Sequence, residues 1–226
     1  MAHKDFSAES AENYEQKCLC VLAVDTSGSM YGDPIYELNK GLKGFHEDVK
    51  NDKTTADRLE FAIVSFDSQV KNILAPSLVD NFKMPRLQAS GTTRLVDGVR
   101  EAIAIVDARK AWYKSTGQPY FRPWIVLITD GAPNPDQDVH GLSQEIQKGA
   151  DSKNFFFYGL GVKDADMNML QQISTQQMPP GKLEGLKFTD FFGWLSASMA
   201  IVSSSIEGDT KDLPNPAAWM EGFDIS

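Results

Sequence analysis

The sequence predicts an α/β fold: a doubly wound, mostly parallel six-stranded sheet with one antiparallel edge strand and helices on both faces. Three observations predict it. Short apolar runs alternate along the chain with amphipathic helical patterns, the order expected of βαβ units. The strongest runs, Cys18–Val24 and Trp124–Ile128, show no polar alternation, as in strands buried on both faces of a parallel sheet. Two strand-like runs flank a tight turn at Asp67-Ser68, which reads as a hairpin and introduces one antiparallel strand.

Taken in order, residues 1–16 read as a polar tail or short surface helix. Cys18–Val24 is the first strand, ending at Asp25. Ile35, Leu38, Leu42, Phe45 and Val49 recur at helical spacing, and Pro34 suits a first helical turn. Phe61–Phe66 and the more polar Val70–Leu74 form the hairpin, with the second run as the edge. Leu95, Val99, Ala102, Ile103 and Val106 mark a second helix. Trp124–Thr129 is a strand ending at Asp130. Val139, Leu142 and Ile146 mark a helix, Phe155–Tyr158 a strand, and Met167, Leu170 and Ile173 a short helix. Leu186-Lys187-Phe188 reads as a last short strand, and a helix from about Thr189 to Ile206 closes the fold. Beyond Glu207, Pro214, Pro216 and acidic residues dominate, with Trp219 and Phe223 as isolated apolar residues that either anchor a partner or pack on the domain. The expected organisation is a tail over 1–16, one domain over 17–206 and a Pro-rich, acidic tail over 207–226.

A chain of 226 residues with 42% hydrophobic and 23% charged residues suits one globular domain with a sizeable core. Acidic residues outnumber basic ones 31 to 22, a net charge of -9, which argues against nucleic acid or an anionic membrane as the partner and suits cations. The two cysteines, Cys18 and Cys20, point to one face of a strand, poorly placed for a disulfide and too few for a thiolate metal site. No apolar stretch has the length of a membrane helix, and the polar start lacks a secretory pattern, so a cytoplasmic location is expected.

Chemistry concentrates where two buried strands end in aspartate. In a sheet of order 3-2-1-4-5-6, the strands ending at Asp25 and Asp130 are neighbours across the switch point, and ligands bind at that end. Asp25-Thr26-Ser27-Gly28-Ser29 sets oxygen-bearing side chains at alternate positions, with Gly28 allowing a tight loop. Carboxylate, hydroxyl and water are the donors a hard cation such as Mg²⁺ prefers, and neutral hydroxyls leave the ion able to attract an external anion. Ser90-Gly91-Thr92-Thr93, just before a helix, offers a further hydroxyl.

Asp25, Ser27 and Ser29, a threonine before a helix, and Thr129-Asp130-Gly131 together resemble the metal-ion-dependent adhesion site of von Willebrand factor A (VWA) domains, over roughly residues 18–206. The resemblance implies a VWA/Rossmann-like fold and a divalent ion, Mg²⁺ with Mn²⁺ or Ca²⁺ as alternatives. It implies Asp25, Ser27, Ser29, Thr93 and Asp130 as its ligands, directly or through water. Thr93 is preferred to Thr92 because Gly98 follows it at the family's spacing. Thr92, Asp67 and Gly131 are candidates for support behind the ligands. The open ligand position implies a protein partner presenting Asp or Glu, with no enzyme activity. A narrower resemblance, carried by Asp25–Met30, Gly32, Pro34, Ile35, Phe66-Asp67-Ser68, Ala89–Thr93, Thr129–Pro133 and Phe191–Ser198, is to the TerY-type proteins of tellurite-resistance gene clusters. It implies a bacterial chemical-stress or phage-defence system with a kinase and a PP2C-type phosphatase as partners.

Two other function classes compete with this reading. A metal-dependent phosphatase or hydrolase could use the same acidic crevice, but it needs a general base, and the three histidines, His3, His46 and His140, fall in the tail or on helices away from the motifs. Ser27 lacks the Gly-x-Ser-x-Gly setting of a nucleophile. Alternatively, the chain is a scaffold that binds through the tail beyond Glu207.

Overall fold

The computed structural model describes residues 6, 11, 13–205 and 212–221. Along the chain run β1 (Cys18–Asp25), α1 (Asp33–Asn51), α2 (Lys53–Arg58), β2 (Leu59–Phe66), β3 (Val70–Leu78), α3 (Leu95–Thr116), β4 (Trp124–Thr129), α4 (Val139–Asp151), β5 (Phe156–Gly161), α5 (Met167–Ile173), β6 (Gly181–Lys182) and α6 (Phe188–Ser204). They build a six-stranded sheet of order β3-β2-β1-β4-β5-β6. Every neighbouring pair is parallel except β2 and β3.

The apolar run of β1 explains the layering. Its even-numbered side chains, Cys18, Cys20, Leu22 and Val24, join a core with Leu38, Leu42 and Phe45 of α1 and Phe191, Leu195 and Met199 of α6. Leu19, Val21 and Ala23 join a second core with Val99, Ala102 and Val106 of α3, Leu142 and Ile146 of α4, and Leu170 of α5. Period-two alternation thus feeds both faces of the central strand. The cysteines behave as small buried apolar groups: burial pushes the Cys18 thiol up to about 12, and its Sγ lies 3.8 Å from Met199 Sδ.

The predicted edge strand is the edge, and its exposed middle residues account for its polar composition. The expected strand at Leu186–Phe188 is not one. The last strand is Gly181–Lys182, and Phe188, fully buried, opens α6 after a turn in which its N–H donates to Leu186 O at 2.7 Å. An apolar-polar-apolar triplet fits a strand and a helix entry equally well, and three residues cannot separate them. Helix α2, unpredicted for want of an apolar stripe, starts where the Asp52 side chain accepts from Thr55 N at 2.9 Å.

Both expected tails include residues that pack on the domain. Glu15 accepts from Arg58 Nε at 2.9 Å, and its carbonyl accepts from Gln118 Nε2 at 2.7 Å. At the other end Trp219 is fully buried, with ring centroids 5.1 Å from Phe191, 5.3 Å from Trp194 and 6.3 Å from Tyr158. Trp194 Nε1 donates to Pro214 O at 2.7 Å, and Met220 bridges Leu183 in antiparallel sense beside β6. Trp219 is therefore a core residue; Phe223 lies outside the described residues. Glu60 of β2 forms a buried bidentate pair with Arg109 of α3 at 2.7 and 2.8 Å and accepts from Tyr113 Oη at 2.6 Å. No helix of the described residues is long and apolar enough to cross a membrane.

Candidate metal centre

The sheet delivers the two aspartates to one place. Val24 of β1 pairs with Ile128 of β4, so Asp25 and Thr129 sit side by side one residue further on, and Asp130 follows. From β1 the sheet continues through β2, and from β4 through β5, so the order reverses between β1 and β4 and opens a crevice at their carboxyl ends.

Three loops are laced together over that crevice. In the first, Ser27 N donates to Asp25 Oδ1 at 2.8 Å, Ser27 Oγ lies 3.0 Å from Ser29 Oγ, and Ser29 Oγ donates to Asp130 Oδ1 at 2.6 Å. Thr129 Oγ1 donates to Asp25 Oδ2 at 2.6 Å and joins the first loop to the third. The second loop docks through Gly28 N to Gly91 O at 3.0 Å and Ser90 N to Thr26 O at 2.8 Å. Gly91, with φ of +76°, makes the turn that places its carbonyl. Thr93 is held by Asn134, whose Oδ1 accepts from Thr93 N at 3.1 Å and whose N donates to Thr93 O at 2.9 Å. A Cβ added at Gly131 would stand 3.9 Å from Thr93 Oγ1 and 4.0 Å from Ser29 Oγ, so both hydroxyls border the same small space beside Asp130. Gly98 lets α3 press against β2, since a side chain there would collide with the Phe66 ring. That contact seats the helix Thr93 introduces.

The five predicted ligand residues are therefore brought together. The supporting positions divide. Gly131 is in the crevice, its N–H 3.3 Å from Thr129 Oγ1. Thr92 is exposed, and its hydroxyl engages Ser68 Oγ at 3.3 Å and Asn134 Nδ2 at 3.2 Å, bracing the loop. The Asp67 carboxylate is taken up by Gln69 N at 2.8 Å and Lys71 Nζ at 3.1 Å, so it orders the β2–β3 turn. Asp67 supports the site through its carbonyl, which accepts from Arg94 N at 3.0 Å. Thr129 and Asn134 are the positioning residues that sequence reasoning missed. Thr129 stood inside the Thr129-Asp130-Gly131 motif, while Asn134 had only its place between two prolines to mark it as a turn residue.

Asp25 is fully buried, and burial pushes its carboxyl up to about 6. Hydrogen bonds from Ser27 and Thr129 oppose that rise, and the negative charge of Asp130 adds to it. Among the described residues no lysine or arginine side chain pairs with Asp25 or Asp130. Lys163 Nζ reaches the first loop but donates to the Ser29 carbonyl at 3.4 Å. Nor do the described residues hold a group of three or more His, Cys, Asp or Glu placed to bind a metal ion among themselves. The donor set is two carboxylates and three hydroxyls, all oxygen, around a buried anion that lacks a protein counter-charge. That chemistry fits a hard divalent cation and does not fit zinc or copper.

The profile of the von Willebrand factor type A domain matches residues 20–182. The chain belongs to the von Willebrand factor type A domain family. Among solved structures, this VWA domain is similar to the pilus adhesin SpaC from Lactobacillus rhamnosus GG, at 16% identity and TM-score 0.64 over 83% of this chain and 31% of that one. It is also similar to the vWF domain of the type V pili tip protein Mfa5 from Porphyromonas gingivalis, at 11% identity and TM-score 0.62 over 86% of this chain and 99% of that one. A third similarity is to the ArnB paralog VWA2 from Sulfolobus acidocaldarius, at 14% identity and TM-score 0.56 over 81% and 45%. The chain spans about a third of SpaC. No curated protein matches the chain significantly. At these identities the structural likeness establishes the fold.

Proposed function

We propose that this VWA domain is a metal-dependent protein-binding module, in which Asp25, Ser27, Ser29, Thr93 and Asp130 hold a divalent cation, Mg²⁺ in preference to Mn²⁺ or Ca²⁺. The observation that carries the reading is the convergence of a buried, uncompensated Asp25 with Asp130 and three hydroxyls at the β1/β4 switch point. The cation supplies positive charge at the crevice mouth. Hydroxyl ligands neutralise little of it, so an Asp or Glu from a protein partner completes the coordination.

A binding role is favoured over hydrolysis because the described histidines are engaged elsewhere. His46 contacts Val79 O at 3.0 Å and His140 contacts Gln144 at 3.0 Å. A scaffold working through the C-terminal tryptophan is disfavoured by the burial of Trp219. Glu221 in the same segment is held against the sheet by Lys182 at 3.1 Å. The TerY-type pattern, notably Phe191–Ser198 at the start of α6, supports a cytoplasmic role in a bacterial tellurite, chemical-stress or phage-defence signalling system. In that setting the partners are a kinase and a PP2C-type phosphatase of the same gene cluster.

The test is Mg²⁺ titration by calorimetry on the parent and Asp25→Ala, followed by capture of those two candidate partners in Mg²⁺ and in chelator. Heat and capture in the parent alone, both lost in chelator, support the module. Capture that survives both the substitution and the chelator would overturn it.

A further inference from the structure

Beside the crevice, the face of α1 carries a feature the metal site does not use. An open groove of about 400 Å³ lies between α1 and the irregular segment that leads to Ser90, lined by Tyr36, Lys40, Lys43, Met84, Pro85 and Arg86 with Asn39 between them. Asn39 fixes its geometry. Its Nδ2 donates to Leu87 O at 3.0 Å, and its Oδ1 accepts from Leu87 N at 2.7 Å, which clamps the segment to the helix. The segment then reaches Ser90, whose N–H binds Thr26 O, so the groove leads toward the loop carrying Ser27 and Ser29.

The charge of this groove runs against that of the chain. The net charge is -9, yet the groove is lined by three basic residues and no acidic one. Lys40 and Lys43 make exposed pairs with Glu37 at 3.2 Å and Glu47 at 3.7 Å, neither of which lines the groove. Such solvent-exposed pairs are weak and yield readily to an incoming carboxylate. Arg86 is exposed and has no ion pair among the described residues. Apolar surface accompanies the cations: Met84 and Pro85 are half-buried, and Tyr36 is 61% exposed, with Tyr31 at 78% just before α1. Tyrosine and arginine on a surface are the residue types that anchor protein interfaces.

We propose that this groove docks an acidic, extended peptide segment of a protein partner. Lys40, Lys43 and Arg86 pair with its Asp and Glu side chains, and Tyr36, Met84 and Pro85 cover its apolar ones. Nucleic acid fits poorly, because three cations are few against a phosphate backbone and the rest of the surface repels it. The site needs no metal and stands apart from the reading of the crevice.

The experiment is fluorescence anisotropy of the full chain with a labelled peptide of glutamates interspersed with leucine and proline, in chelator. Saturable binding is expected, weakening as salt rises. Arg86→Glu should weaken it about tenfold. Lys148→Glu, the same kind of charge reversal on the exposed face of α4, should leave it unchanged. Thermal melts of each variant exclude unfolding as the cause of a loss. Four results would each overturn the proposal: no binding, equal weakening by Lys148→Glu, a requirement for Mg²⁺, or equally tight binding of a single-stranded oligonucleotide of matched charge.

Discussion

Replacing Asp25 by asparagine should stabilise the fold in the absence of metal, and Mg²⁺ should largely cancel that advantage. Asp25 is fully buried without a basic partner, and its carboxyl rises from an ordinary 3.8 to about 6. A raised carboxyl favours the folded state when protonated; that contribution is complete below the unfolded value near 3.8 and is lost as pH rises through about 6. At pH 7 in chelator the ionised side chain therefore costs the fold about 3 kcal/mol. Asparagine removes the charge and keeps the shape. Its Oδ1 still accepts from Ser27 N, its Nδ2 can donate to Thr129 Oγ1, and the Thr129 hydroxyl can turn to Gly131 O, 3.4 Å away. Asp25→Asn should then melt about 6–12 °C above the parent in chelator at pH 7. The difference between the two proteins should shrink as pH falls from 7 to below 4, and the comparison cancels the titration of the other carboxylates. In Mg²⁺ at about 100 times its dissociation constant the parent should gain about 2.7 kcal/mol and the variant nothing. Thermal and urea melts at several pH values, in chelator and in Mg²⁺, read all of this. An asparagine variant less stable than the parent in chelator at pH 7 would refute the burial argument, and one stabilised by Mg²⁺ as much as the parent would refute the role of Asp25 at the metal.

Other substitutions separate neighbouring residues by role. Thr93→Ala should abolish the calorimetric Mg²⁺ signal while Thr92→Ala retains it, because only the Thr93 hydroxyl borders the space beside Ser29 and Gly131; equal loss in both would reassign the ligand. Trp219→Ala should destabilise the domain by about 3–5 kcal/mol in urea melts, the range for emptying a large aromatic site in a core, whereas a change below 1 kcal/mol is the order expected of a surface residue. Arg109→Met should cost about 3–5 kcal/mol by stranding the buried Glu60 carboxylate, and Glu60→Leu combined with Arg109→Met should recover much of that loss. A double variant no better than the single would show that the pair contributes more than mutual neutralisation.

The parts of the fold legible in the sequence are those written in local periodicity. Cys18–Val24 and Trp124–Ile128 are unbroken because both faces of β1 and β4 are covered, so buried central strands declared themselves. Val70–Leu78 alternates less cleanly because it lies at the edge, half in water. Two-residue β6 pairs only through Gly181 and Lys182 and carries no apolar pattern. Helix α2 is announced only by the Asp52 cap.

By itself, then, the sequence determined the class of fold, the reversal point of the sheet, and the five oxygen-bearing residues that meet there. Asp25, Ser27, Ser29 and Asp130 lie within a few residues of the ends of β1 and β4, whose parallel pairing leaves those ends one place to go, and Thr93 stands two residues before α3. Tertiary structure decided what depends on contacts between distant segments. Asn134 holds Thr93 across 41 residues, Asp67 steadies the same loop by its carbonyl instead of its carboxylate, and Asp25 is buried between its own loop and the end of β4, with Ser27, Thr129 and Asp130 beside it. The same holds for Trp219, which composition left open between partner anchor and core and which packing against Phe191, Trp194 and Tyr158 made core. Local pattern states what a residue can satisfy; only the chain's return past it settles which partner is there to satisfy it.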